Sequence, residues 1–431
     1  MILAHGIGGR SDLPVPFSVL VTAAAAVLVV TFLLLSVAWT RPRLQDGPRY
    51  NGPSTSVPGR RLLGALGVLG LFLVIGQVIP VLLGVETSPT SPTVAPVLVW
   101  VVFWLVIPFG AAIFGNWYAD VNPWRTLGEI FGVGRMERIG LPVKLGVWPA
   151  LAALLGFVWL ELVSPSSGDP VVLGVAALVY TVAVLLAMVL VGRETGLTVF
   201  DAFTPYNRLI SAISPVGRKA SGGLVWRGWL RSLAVVPEWP GLWVFVVTMI
   251  ATVSYDGASG AAWFQMITGD LGDTLSGKTF LLAASVNLIA LAYYLACVAA
   301  ARLAGGTWTA RRVAQRFAHT LVPIALAYAV SHYLTLILFE GQQLISAISD
   351  PFGLGWDLFG TAGLGVNYFL TSSTPIWFLQ VGFIVMGHLV GIVLAHDRSL
   401  HDFGRGAVRS QYAMLVLMIA LTSLGLLILS G

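Results

Sequence analysis

Residues 15–39 read VPFSVLVTAAAAVLVVTFLLLSVAW, a run of 25 residues without a charged side chain. A helix needs about 20 consecutive apolar residues to cross the hydrocarbon core of a bilayer. The run is longer than the apolar core of a signal peptide, and Trp39 and Arg41 stand where small residues would mark a cleavage site. The stretch therefore predicts a retained membrane-spanning helix.

The composition of the whole chain agrees with this first run. Hydrophobic residues make up 57% of the 431 residues and charged residues 10%, with a mean hydropathy of +0.87. A soluble globular chain carries roughly 25% charged residues. The composition thus excludes a soluble enzyme, a secreted domain, a disordered chain and a coiled coil, and it predicts a polytopic membrane protein.

Nine further apolar runs follow the first. In hydrocarbon every backbone polar group must be satisfied within the segment, which favours helices for runs of this length. We predict an all-α integral membrane bundle of about ten transmembrane helices, forming a single polytopic domain over residues 1–431. The predicted spans are 15–39, 62–84, 95–115, 145–163, 170–191, 240–256, 279–301, 317–339, 376–396 and 411–430.

The basic residues sort by loop and predict the orientation of the spans. Of the 24 Lys and Arg, 22 fall in alternate loops, and only Arg10 and Lys278 fall in the others. Cytoplasmic loops carry the excess of Lys and Arg, so we predict a plasma-membrane protein with both termini extracytoplasmic. This sorting also explains the net charge of +5 without nucleic acid as a partner. The predicted cytoplasmic loops are 40–61, 116–144, 192–239, 302–316 and 397–410.

A weak internal repeat lies in two of these cytoplasmic loops. Asp120-Val-Asn-Pro-Trp124 in the first loop resembles Asp201-Ala-Phe-Thr-Pro-Tyr206 in the second. Each copy has the pattern of a short interfacial helix, with proline near its start and an aromatic residue beside it. The interpretations are a membrane-surface anchor, a substrate gate and a docking site for a partner.

Four of the six histidines fall in the eighth and ninth spans: His319, His332, His388 and His396. Ionisable residues within a span are costly and indicate function. His388 and His396 are eight residues apart, a rise of about 12 Å along a helix, so they cannot bind one metal ion from a single helix. A metal site therefore needs histidines from different spans or acids from an outer loop.

The resulting hypothesis is a metal- or histidine-dependent centre on the outer side. We expect His332, His388 and Asp256 as catalytic candidates. Imidazole and carboxylate ligands suit zinc or a similar divalent ion, which activates bound water. The alternative is that these histidines only form hydrogen bonds between packed helices. The candidate metal ligands are His5, His332, Glu340 and Asp357, with Asp256 as an alternative acid.

Six stretches of the chain carry a resemblance to a known family. They are AHGIGGRSDLP at 4–14, NPWR at 122–125, SYDG at 254–257, FAHTLVPIALAY at 317–328, SHY at 331–333 and GHLVGIVLAHDR at 387–398. These stretches resemble a family of actinobacterial polytopic membrane proteins that carries the name fenitrothion hydrolase. The resemblance implies hydrolysis of an organophosphate triester, a lipophilic substrate able to enter from the bilayer. It carries over no catalytic residues, although its stretches include candidates named above.

Three functions follow as expectations. The first is a membrane-embedded hydrolase acting on a small molecule, with a divalent metal as the possible cofactor. The second is a secondary transporter or channel for a small solute or cation, in which the same buried groups bind a proton or a metal. The third is a non-catalytic membrane assembly subunit. The lipid bilayer is a partner in each case, and the sequence gives no oligomeric state.

Overall fold

The structure of the protein is a computed structural model, in which residues 15–48, 50–55, 59–86, 93–135, 139–140, 145–218 and 223–430 are described. These residues form an all-α bundle with one small sheet. The helices of the first half are α1 Phe17–Ala38, α2 Arg60–Ile75, α3 Val78–Leu82, α4 Val94–Pro96, α5 Ile107–Phe114, α6 Tyr118–Val121, α7 Pro123–Ile130, α8 Trp148–Leu162, α9 Pro170–Val191 and α10 Arg193–Val199. A π-helix at Val97–Val106 joins α4 to α5.

The second half contains the helices that carry the candidate site. They are α11 Phe203–Ser211, α12 Arg231–Ala234, α13 Leu242–Ser259, α14 Ala262–Thr268, α15 Leu275–Ala304, α16 Ala310–Phe317, α17 Val322–Leu338, α18 Gln343–Ala347, α19 Ser373–Phe403 and α20 Ala407–Ser430. Short 3-10 segments lie at Gly269–Gly272, Ala318–Leu321, Glu340–Gln342 and Gly404–Gly406.

Eight helical segments of the described chain are long and apolar enough to cross a membrane, which makes this a multi-pass membrane protein. The last of them, Ser373–Ser430, contains both α19 and α20, and α8 is a shorter apolar helix. A helix thus covers each run that the sequence predicts, while the number of crossings and the side of the termini stay predictions. The eight segments are Phe17–Ala38, Arg60–Leu82, Val94–Phe114, Pro170–Val191, Leu242–Ser259, Leu275–Ala304, Ala310–Leu338 and Ser373–Ser430.

Helix α13 lies at the centre of the bundle, because 14 of its 18 residues are buried. Helices α17 and α19 pack closely beside it. A Cβ added at Gly387 of α19 would lie 2.8 Å from the carbonyl oxygen of Pro323 in α17. Small residues permit such close approach of helices in membranes, where lipid supplies no hydrophobic drive for helix association. This packing fixes α17, and with it His332, against the core.

The two copies of the sequence repeat form α6 with α7, and α11. Helix α11 is not a surface anchor, because seven of its nine residues are buried. The copies contact each other through Asp201, which accepts hydrogen bonds from Asn122 Nδ2 at 3.3 Å and from the hydroxyl of Tyr118 at 3.3 Å. The gate and dock interpretations stay open for both copies.

The sequence did not predict the sheet. Strands β1 Tyr50–Thr55, β2 Val216–Arg218 and β3 Leu224–Arg227 pair antiparallel in the order β1-β3-β2. They join two of the predicted cytoplasmic loops. Strands β2 and β3 are too short, and too rich in basic residues, to show the alternation of apolar and polar residues that marks a strand.

Candidate functional site: a buried acid and histidine centre

An acid from α13 and a histidine from α17 meet inside the bundle. Nε2 of His332 lies 2.9 Å from Oδ2 of Asp256. The side chain of His332 is 13% exposed and that of Asp256 is 6% exposed. When Asp256 is ionised it only accepts hydrogen bonds, and the Nε2–H of His332 then donates to it. The pair is therefore a largely desolvated bond between two helices.

A second carboxyl lies beside this pair. Glu161, near the end of α8, is buried and close enough to Asp256 for their charges to repel each other. The hydroxyl of Tyr333 donates to Glu161 Oε1 at 3.5 Å, the long limit of a hydrogen bond, and also interacts with Asp256. We call Glu161, Asp256, His332 and Tyr333 the acid–histidine centre. Three helices, α8, α13 and α17, therefore contribute to it.

Two buried polar atoms next to the centre make no hydrogen bond of good geometry. They are Oε2 of Glu161 and Nε1 of Trp104, within the described part of the chain. Trp104 nevertheless lies close enough to Glu161 and to Tyr333 to interact weakly with both side chains. An unsatisfied buried polar atom costs roughly 1–3 kcal/mol, so these weak contacts leave part of that cost uncompensated.

Gly257 makes room for the imidazole ring of His332. A Cβ at this position would lie 3.3 Å from Nδ1 of His332 and would collide with Ile428 of α20. With Nε2–H directed to Asp256, Nδ1 carries the lone pair of the neutral ring and is the atom that accepts a proton. The ring thus packs against the backbone of α13 at Gly257.

The third predicted catalytic residue, His388, is not part of this centre. It is fully buried in α19, where its Nδ1 lies 2.8 Å from the carbonyl oxygen of Ile384. Its ring lies 6.0 Å from that of Tyr328. The structure therefore brings together two of the three predicted catalytic residues, His332 and Asp256.

The three predicted metal ligands that the structure describes, His332, Glu340 and Asp357, do not form one cluster. The carboxylate of Glu340 accepts a hydrogen bond from Nε2 of Gln343. It accepts a second one, at 3.3 Å, from the hydroxyl of Tyr368. Asp357 accepts from the backbone N–H of Ala362 at 3.0 Å and from the Ser349 hydroxyl at 2.8 Å, and these bonds lower its pKa. His5 lies outside the described residues. Within the described ranges, no group of three or more His, Cys, Asp or Glu side chains could hold a metal ion.

The remaining histidines of the eighth and ninth spans form hydrogen bonds with other groups of the bundle. His396 lies 2.9 Å from the carbonyl oxygen of Trp39 and 3.0 Å from Oε1 of Gln411. Nδ1 of His319 lies 3.0 Å from the carbonyl oxygen of Arg316. These contacts tie neighbouring segments together and are those expected of packing residues.

Sequence reasoning missed Glu161 and Tyr333 as members of the centre. A signal was present, because Glu161 is the only charged residue in the apolar run 148–162. It occupies the end of its helix, as Asp256 does in α13. The two carboxyls could have been predicted to lie at a similar depth in the membrane, because each is near the end of an apolar helix. The sequence does not show, however, that these two helices are neighbours.

Comparison of the chain with protein-family models, with curated proteins and with solved structures finds no match.

Proposed function

We propose that this multi-pass membrane protein is a proton-coupled secondary transporter in which the acid–histidine centre is the proton-binding site. The observation that carries the proposal is the 2.9 Å contact between His332 and Asp256, with the buried carboxyl of Glu161 beside it. Carboxyl and histidine groups within a membrane bundle are typical of proton relays and ion pathways.

Electrostatics explain why such a centre binds protons. Two buried carboxylates near each other are both charged only at a large cost, because burial and mutual repulsion act in the same direction. A proton on either carboxyl, or on Nδ1 of His332, removes part of that cost. The centre therefore exchanges protons as a coupled unit.

The same geometry links proton binding to helix packing. Asp256 belongs to the central helix α13, Glu161 to α8, and His332 and Tyr333 to α17. A change of charge alters attraction and repulsion between these three helices at once. Coupled transport requires such a link between the bound ion and the arrangement of helices.

A transport assay tests this proposal directly. Purified protein in proteoliposomes, under an imposed inward proton gradient, is incubated with a mixture of small metabolites, and the accumulated solutes are identified by mass spectrometry. We expect at least one solute to accumulate with the wild type only when the gradient is present. Asp256→Asn should abolish that accumulation, whereas Asp169→Asn, a change at an exposed helix cap, should preserve it. No gradient-dependent accumulation by the wild type would refute the proposal.

A second candidate function is a hydrolase in which His332 is a general base. Asp256 fixes the ring so that Nδ1 is free to take a proton from water, and the resulting hydroxide would displace an aryloxide from a phosphotriester as the P–O bond to it breaks. This fits the activity that the family resemblance implies. However, Nδ1 lies beside Gly257 and the side chain of His332 is mostly buried, so a bulky substrate reaches it only after helix movement.

An esterase assay separates the two functions. Detergent-solubilised protein, treated with a chelator, is incubated with a chromogenic dialkyl aryl phosphotriester. Hydrolysis that is lost in His332→Ala would support the hydrolase, while turnover that equals that of a protein-free control would exclude it for this substrate class. The transport assay is scored independently on the same preparations.

A further inference from the structure

The segment between α18 and α19 exposes an unusual number of large apolar side chains. Seven of them lie within residues 356–370, which we call the apolar loop: Trp356, Leu358, Phe359, Leu364, Tyr368, Phe369 and Leu370. Phe369 is 96% exposed. Contiguous apolar surface of this kind is rare where a protein meets water, and it marks an interaction site.

The apolar loop is held in place by hydrogen bonds. The Ser349 hydroxyl oxygen accepts from the N–H of Phe359 at 2.9 Å, and Gln342 Oε1 accepts from the N–H of Asn367 at 3.0 Å. The rings of Phe339 and Tyr368 lie 5.5 Å apart. The apolar side chains therefore project from an ordered scaffold, so little conformational entropy is lost when they are covered.

The charge of the apolar loop suits a lipid surface. Asp357 is the only charged residue within 356–370. Its Oδ1 is engaged by the Ser349 hydroxyl and by the N–H of Ala362. The loop surface therefore carries a single charged group, whose exposed carboxylate stays at the level of the headgroups when the apolar side chains enter the interface.

The loop is also continuous with surface that faces lipid. Helix α19 begins at Ser373, three residues after Leu370, and its first turns expose Phe378 and Leu379. At its other end the segment packs on neighbouring helices, because Pro351 O accepts from Val94 N at 3.1 Å and from Gln77 Nε2 at 3.0 Å. The segment that carries the loop thus lies against neighbouring helices at one end and continues into α19 at the other.

We propose that the apolar loop inserts its exposed side chains into the interfacial region of the leaflet at which α17 ends. Apolar side chains gain free energy when they enter the boundary between headgroups and acyl chains. The occupant of this surface is then the bilayer that the protein spans, and neither a second copy of the chain nor another protein. By the predicted topology this is the outer leaflet.

Site-directed fluorescence tests the proposal. The chain has a single cysteine, the buried Cys297, so Cys297→Ala provides a background for labelling. Phe369→Cys in this background is labelled with an environment-sensitive nitrobenzoxadiazole dye in phosphatidylcholine vesicles. We expect blue-shifted emission, quenching by doxyl-labelled lipid and little quenching by aqueous iodide. Leu364→Cys repeats the measurement at a second site in case one variant fails to fold.

Two control positions calibrate the result. Leu288→Cys, exposed on the long helix α15, represents lipid, and Asp273→Cys, exposed in a polar turn, represents water. The loop positions should be quenched by doxyl lipid at least about twofold more strongly than Asp273→Cys. Iodide quenching equal to that of Asp273→Cys would overturn the proposal. Protection from both quenchers would also overturn it, because it would indicate cover by protein.

Discussion

Nε2 of His332 and Oδ2 of Asp256, 76 residues apart in sequence, lie 2.9 Å apart within the bundle. The contact joins α17 to the central helix α13 and places the imidazole next to the consecutive residues Asp256 and Gly257. Helix α17 also packs closely on α19 at Gly387, so the pair belongs to a helix with close neighbours on two sides. The pair is therefore a structural element as well as the candidate proton site.

The first prediction is that His332 and Asp256 are energetically coupled. His332→Ala and Asp256→Asn each remove the charge-assisted hydrogen bond, so the double variant should lose little more stability than either single variant. We expect a coupling energy of about 1–3 kcal/mol in a double-mutant cycle, measured by denaturant unfolding in detergent micelles. The pair His332→Ala with Asp169→Asn serves as the control and should be additive. Additivity for His332 and Asp256 would contradict the contact.

The second prediction concerns two glycines of α19. A Cβ at Gly387 would meet Pro323 O at 2.8 Å and also the Ala327 side chain, whereas a Cβ at Gly382 would meet nothing within 4 Å. Gly387→Ala should therefore destabilise the protein by about 1–3 kcal/mol, because α17 and α19 must separate. Gly382→Ala should be neutral or stabilise by up to about 1 kcal/mol, because alanine favours the helix. Equal melting temperatures would show that the helices do not approach as closely as the structure indicates.

Much of the fold could be predicted from hydropathy because lipid imposes a strict length on each spanning helix. The run 170–191 matches α9 at both ends, where Asp169 caps the helix and Gly192 follows it. Helices inside the loops were harder to predict. The buried position of α11 depends on contacts with other helices, and the amphipathic pattern of its sequence suits an interface equally well.

Part of the candidate site could also be predicted from the hydropathy of the sequence. His332 and Asp256 could be selected because charged groups within apolar runs are rare. Their proximity, however, depends on the arrangement of α13 and α17, which periodicity does not reveal. Glu340 and Asp357 seemed equally suitable, yet they are engaged within the outer segment by Tyr368 and by Ser349. Sequence spacing could not distinguish these local partners from metal ligands.

The third prediction concerns the buried carboxylate of Asp120. Its side chain is 1% exposed and pairs with Arg218 through two contacts, while Arg60 approaches it at 3.1 Å. Arg218→Gln leaves a buried charge with one exposed partner and should cost about 3 kcal/mol. Arg60→Gln removes a partner that is largely in solvent and should cost less than about 1 kcal/mol. Unfolding free energies in the same detergent provide the comparison, and similar losses for both variants would contradict the assignment.

The fourth prediction concerns pH. Arg125 donates two hydrogen bonds to Glu194, at 2.6 and 2.9 Å, and these bonds lower the pKa of the Glu194 carboxyl. A folded-state pKa below the unfolded value contributes stability that is complete above the unfolded pKa and disappears as the pH falls through the folded pKa. The effect should be small, because Glu194 is largely exposed and screened by solvent.

Glu194→Gln should therefore reduce stability near neutral pH and should match the wild type at acidic pH, below the lowered pKa. Melting temperatures recorded from neutral pH into the acid range would show the two curves converging as the pH falls. Arg125→Gln should show the same convergence, since it removes the other partner of the same pair. A constant difference at every pH would mean that the variants act through packing and not through the charge of Glu194.

The fifth prediction is the orientation of the chain in its membrane. The sorting of 22 of the 24 basic residues into alternate loops predicts that the carboxyl terminus lies on the extracytoplasmic side. A fusion of alkaline phosphatase after residue 431 should be active, and a fusion of green fluorescent protein at the same point should not fluoresce. Fusions within the predicted cytoplasmic loop 302–316 should give the opposite pair of results. Glu161 and Asp256 lie near the ends of α8 and α13 and meet His332 of α17, so this experiment also shows which face of the membrane is nearer to the centre. A fluorescent carboxyl-terminal fusion would place the centre near the cytoplasm and would move the apolar loop to the inner leaflet.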